Sequence, residues 1–197
     1  MIENNESMKY KVLNLLVDDP TAILLFKNKY IDDDVWKFCI EREPGIFKHM
    51  KAPSEQMCEF ALGIDGHNLK YIRKKFTDIK ITRKMAYIAT NNCPKSIMYV
   101  PEEILDEGLK EKAFSADPSL LQNFEFKDLR YDYIKNLINE NPACIKYINN
   151  PPDDLILEAI KRDSNVCVYF EKLSPRVMAV INEINPDLLL LYKNIEQ

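Results

Sequence analysis

The strongest constraint on this chain is a motif that returns every 22 to 28 residues. With Pro142 as the anchor, equivalents fall at Pro20, Pro44, Gly66, Pro94, Pro118, Ser164 and Pro186. The preceding residues are Asp19, Glu43, Asp65, Cys93, Asp117, Asn141, Asp163 and Asn185, and six of these eight are Asp or Asn. Such side chains accept hydrogen bonds from the free amides of a starting helix. Proline suits the first helical position, where no amide donor is needed. Each anchor reads as a helix start.

The apolar positions share this register. Three residues after the anchors stand Ile23, Phe47, Leu69, Ile97, Leu121, Ile145, Cys167 and Leu189; six after stand Phe26, Met50, Ile72, Val100, Phe124, Ile148, Phe170 and Tyr192. All sixteen are apolar or aromatic in a chain that is 46% apolar, where chance would supply about seven. Five residues before the anchors stand Leu15, Cys39, Ala61, Ala89, Ala113, Leu137, Ala159 and Ile181. Eight before, only Lys110 breaks an apolar set that runs from Val12 to Met178. Each unit is thus a hairpin: a short helix at the anchor, a polar loop, and a second helix ending before the next anchor. Second-helix starts are expected at Asp34, Ser54, Thr82, Asp154 and the Ser174-Pro175 pair. Helices this short are marginal alone, so stacking must stabilise them. The expected fold is all-α, a helical-hairpin repeat solenoid of about seven units. It would form one domain over residues 1–197, with 1–7 as a flexible tail.

The run DDLILEAIKRDSNVCVYF, with DDDVWKFCIEREPGIFKHM near the start, resembles a short helical repeat of bacterial and viral proteins. That repeat reads approximately Asp-Asp-x-x-Val-x-x-Ala-Val-x-x-x-Gly-x-Ala-Leu-x-Tyr and has no established function. The resemblance covers most of residues 8–197, with Pro largely replacing Gly at the anchor and one unit stretched. It implies a repeat fold and carries over no catalytic residue and no partner.

Composition narrows the function classes. A net charge of -4 does not suggest a nucleic-acid binder, and the longest apolar runs fall far short of a membrane span. The N-terminal MIENNESMKYKVLNLL lacks the pattern of a signal peptide. Five cysteines without a CxxC pair point to reduced thiols and a cytoplasmic location, in a bacterium or an infected host cell. The four glycines form no phosphate-binding loop. His49, His67 and Cys58 could approach one another as a thiol or metal site, but Cys58 holds a packing position and no third group is marked. The acidic clusters, including Asp32, Asp33 and Asp34, read as helix starts. No enzyme activity, metal or cofactor is expected.

Two features remain. Tyr71, Tyr99, Tyr147 and Tyr169 recur five residues after their anchors, and read first as packing and second as a binding stripe. Residues 70–84, KYIRKKFTDIKITRK, carry seven Lys or Arg and one Asp inside the longest unit. Expected binding residues are therefore Lys70, Tyr71, Arg73, Lys74, Lys75, Phe76, Lys80, Arg83 and Lys84, together with Tyr99, Tyr147 and Tyr169. The expected function is a non-enzymatic protein–protein interaction module. The Lys- and Asn-rich bias suggests a phage or viral protein that binds and inhibits a host defence factor. The alternative is nucleic-acid or acidic-partner binding through residues 70–84, with nucleic acid ranked below a protein. The closing INPDLLLLYKNIEQ is apolar for a terminal repeat, and predicts a homodimer through the leucines at 188–191.

Overall fold

A computed structural model of the chain describes residues 5–26 and 31–187, with side chains from residue 9 onward. The leucines at 188–191, on which the dimer expectation rests, lie outside the described residues. All regular structure among the described residues is helical. The α-helices are α1 (Asn5–Asp18), α2 (Asp33–Arg42), α3 (Glu55–Ile64), α4 (Leu69–Lys75), α5 (Arg83–Asn92), α6 (Glu107–Ala116), α7 (Tyr131–Glu140), α8 (Asp153–Arg162) and α9 (Pro175–Ile184). Residues 5–7, expected in the flexible tail, belong to α1.

At every anchor from Pro20 to Ser164 the chain starts a 3-10 segment. Such segments run over Pro20–Leu25, Pro44–His49, Gly66–Asn68, Pro94–Tyr99, Pro118–Asn123, Pro142–Tyr147 and Ser164–Tyr169. Their hydrogen bonds span three residues from the start (Ala22 N–H to the Asp19 carbonyl, 3.1 Å; Leu120 to Asp117, 3.1 Å) to the end (Met50 to Phe47, 3.1 Å; Val100 to Ile97, 3.1 Å). At three residues per turn, side chains three apart eclipse. That is why the apolar positions recur at three and six residues, with every described residue at the third position buried. The Asp19, Asp65, Asp117 and Asp163 carboxylates each accept from the amide two residues on, at 2.9–3.1 Å.

Second-helix starts follow expectation at Ser54, Thr82 and Ser174, whose hydroxyls each accept from the amide three residues later at 3.2 Å. Two are shifted. Asp32, rather than Asp34, caps α2 by accepting from Val35 N–H at 3.1 Å. Pro152, rather than Asp154, precedes α8; Asp154 pairs instead with Arg176 at 2.9 Å.

The chain groups into two compact units, Met1–Ala113 and Phe114–Gln197. In the first, α1, α2, α3 and α5 pack each on the next, and the 3-10 segments at 44, 66 and 94 do likewise. Its core includes Leu16, Ile40, Phe47, Met57, Ile72 and Met85. In the second, α7, α8 and α9 pack in order, as do the segments at 118, 142 and 164, around Leu121, Ile134, Ile138, Ile145, Leu155 and Val177. One apolar position departs from the pattern. Leu15 is 62% exposed while its seven equivalents are buried, because α1 has no earlier helix beside it among the described residues.

Gly66 stands at an anchor otherwise held by Pro or Ser because its backbone sits hard on the end of α5. A Cβ there would lie 2.2 Å from the Ala89 carbonyl oxygen. Asn92 clamps the same junction, accepting from Gly66 N–H at 2.7 Å and donating to the Gly63 carbonyl at 2.9 Å. The buried Asn68 and Ser96, each two residues after an anchor, donate to the carbonyls of Ala61 (3.2 Å) and Ala89 (2.9 Å).

Candidate functional site

A 3-10 segment that ends after six residues leaves carbonyls with no partner in its own helix. Three segments solve this alike, with a neighbouring segment sending one side-chain donor across the carbonyls four and six residues after the anchor. Lys75 donates to the carbonyls of Lys48 and Met50, the latter at 3.3 Å. Arg73 reaches Met98 (3.5 Å) and Val100 (3.4 Å). In the second unit Asn149 reaches Gln122 (2.9 Å) and Phe124 (3.4 Å). Basic groups are well suited to helix C-terminal carbonyls.

The basic segment is therefore largely spent within the first unit. Arg73 and Lys75 cap its neighbours on either side. Arg83 pairs with Asp106, and Lys84 with Glu59 at 2.6 Å. Phe76 is buried, edge-on to Phe47 with ring centroids 5.3 Å apart, so it is a core residue and not an exposed contact. Lys70 lies over Tyr71 at 4.6 Å and Lys74 over Tyr99 at 6.0 Å, both within cation–π reach. Lys80 is exposed. Tyr71, Tyr99 and Tyr147 are half-buried, as packing residues would be, and Tyr169 is exposed.

The equivalent carbonyls of the segment at 142 are those of Lys146 and Ile148. Lys146 and Ile148 line an open cleft of about 500 Å³ whose lining also includes Asp153, Tyr169, Glu171 and Ser174. The residue placed as Asn149 is placed, seven after the anchor, is Glu171. A carboxylate accepts hydrogen bonds and cannot serve as the donor. Lys146 is drawn elsewhere, its ammonium 4.9 Å from the Tyr147 ring and 5.2 Å from Tyr169. Asp153 accepts from the Ser174 hydroxyl at 2.6 Å. The left-handed Asn150 (φ 49°) turns the chain at the rim.

A second cluster joins residues that the sequence does not pair. Cys93 Sγ lies 3.4 Å from His67 Nε2, and His67 Nδ1 lies 2.9 Å from Asp65 Oδ1. Cys58, paired with His67 on sequence grounds, is instead buried in the core, where burial pushes its thiol up to about 12. His49 is exposed. The repeat period holds the missed signal: Cys93 is the sole thiol among eight pre-anchor residues, and His67 follows the previous anchor directly.

Among the described residues no group of His, Cys, Asp and Glu is arranged to hold a metal ion, and no helix is long and apolar enough to cross a membrane. Comparison of the chain with known protein families, curated proteins and solved structures yields no match.

Proposed function

We propose that the chain is a helical-hairpin repeat solenoid working as a non-enzymatic protein–protein interaction module, with its docking site at the cleft of the second unit. The supporting observation is that Lys146 and Ile148, the counterparts of three carbonyl pairs capped from within, line an open cleft and have Glu171 at the position from which Asn149 caps the preceding pair. An arginine or lysine of a partner would complete the pattern as Arg73 and Lys75 do for their neighbours. Asp153 and Glu171 stand in the lining beside Lys146 and Lys172, and Tyr169 is exposed at the cleft with the Lys146 ammonium against its ring. An open cleft with polar lining suits a protruding side chain of a protein better than an enclosed small molecule. A host factor is the partner class that the composition suggests.

Site-specific photo-cross-linking tests this reading, with the reactive group at residue 169 and a control at the exposed Glu103 of the first unit. The proposal expects one stoichiometric product from 169 only, which disappears when Glu171→Asn supplies an internal donor. Equal capture from both positions, or capture indifferent to Glu171→Asn, would count against it.

A further inference from the structure

We propose that Cys93 is an activated thiol that undergoes exchange with low-molecular-weight disulfides, with His67 as its base and Asp65 as the positioning residue. Three polar groups stand in series. Asp65 Oδ1 accepts from both the His67 backbone N–H and its Nδ1–H, each at 2.9 Å. That pair of bonds holds the imidazole in the tautomer whose Nε2 lone pair is free, and Nε2 is the atom that meets Sγ at 3.4 Å. A nucleophile within reach of a base that is itself oriented by a third group is the arrangement thiol activation requires.

The two turns that carry the cluster are fixed to each other. Gly66 sits against Ala89 with no room for a Cβ, and Asn92 bonds to both Gly63 and Gly66. His67 and Cys93 therefore meet through backbone placement rather than through flexible side chains alone. Access is also provided. Cys93 is half-buried and the His67 side chain is 52% exposed. The other four cysteines are buried, and burial raises all four thiols, Cys39 to about 11 and Cys58 to about 12. Cys93 makes no side-chain bond to the segment it precedes, as is also true of Glu43 and Asn141.

The step balances without a further reactant. His67 Nε2 takes the Sγ proton, and the thiolate attacks one sulfur of R–S–S–R. The Sγ–S bond forms as the S–S bond breaks, and R–S⁻ leaves, taking the proton back from the imidazolium. Cys93 is oxidised to a mixed disulfide and one R–SH is released. This site lies in the first unit and is independent of the proposed docking cleft.

The test is the second-order rate of reaction of the folded full chain with oxidised glutathione and with a chromogenic aromatic disulfide at pH 7, the modified residue being located by mass spectrometry. Cys93 is expected to take the first equivalent, at least about tenfold faster than the thiol of free glutathione. His67→Gln and His67→Asn should each remove most of that advantage, and imidazole in solution should restore part of it, which a merely structural role would not allow. Asp65→Asn keeps an acceptor for the His67 amide; it should slow the reaction while leaving the unfolding midpoint unchanged. Cys93 reacting no faster than glutathione, or equally fast in the folded His67 variants, would overturn the proposal.

Discussion

Two of the 3-10 segments in the second unit, successive along the chain's repeat, end differently. Pro118–Asn123 ends with its last carbonyls bridged by Asn149. At the end of Pro142–Tyr147 the equivalent residues, Lys146 and Ile148, line a cleft of about 500 Å³. Three residues per turn and an early stop create the same unmet acceptors in both, so the difference lies in one side chain of the following segment, Asn149 in one case and Glu171 in the other. The comparison turns on one position, which can be exchanged in either direction.

The largest effect should come from breaking the capped side at its root. Arg73 and Lys75 reach their carbonyls from α4, which continues directly from the segment at Gly66. Gly66→Ala would drive a Cβ into the Ala89 carbonyl and is expected to cost about 1–3 kcal/mol in denaturant unfolding. Lys75→Met removes the ammonium, which also lies 5.3 Å from the centre of the Phe76 ring; it should cost about 1–2 kcal/mol, since the donor is charged but solvent-exposed. Asn149→Ala should cost about 0.5–1.5 kcal/mol. Glu171→Asn alters an interaction that Glu171 already makes while supplying a neutral donor, and should change stability by less than Asn149→Ala does.

The smallest expected effect is a dependence on acid in the first unit. Partial burial alone would raise the Asp106 carboxyl, but the Leu109 amide, the Tyr87 hydroxyl and the Arg83 guanidinium outweigh it and hold it below its ordinary value of 3.8. A carboxyl whose folded value is depressed adds stability that is complete above the unfolded value and is lost as pH falls through the folded one. Unfolding midpoints followed from pH 5 down to pH 2 should therefore decline less steeply in Asp106→Asn than in the parent chain.

The hairpin period is legible in the sequence because burial is repetitive. An apolar residue three after the anchor is buried in every described unit, so its chemistry cannot vary freely. The 3-10 character is not legible there: the same apolar spacing of three and six falls in 3-10 segments and, as Leu69 and Ile72, in α4. Other features depend on neighbours distant in sequence. Nothing within KYIRKKFTDIKITRK indicates that Arg73 and Lys75 reach carbonyls 25 to 27 residues away, and a charge run read alone looks like a solvated or nucleic-acid-binding face. Phe76 looks exposed in that company, yet it closes on Phe47. Asp32 rather than Asp34 caps α2 because three successive aspartates all satisfy the capping preference and only the chain's approach to the helix selects among them. Cys93 and His67 meet because adjacent hairpins bring the residue after one anchor beside the residue before the next. A reader who aligns the units by their anchors could find that pairing; one who searches for local motifs could not.

The most direct test of the open cleft is a chemical-shift titration of the ¹⁵N-labelled chain with N-acetyl-arginine amide, using N-acetyl-norleucine amide as the control without a side-chain donor. The account predicts saturable shifts confined to the amides of residues 146–150 and 169–174, absent with the control and absent in Glu171→Asn. Shifts of equal size with both compounds, shifts that survive Glu171→Asn, or no saturable shift at these amides would contradict it.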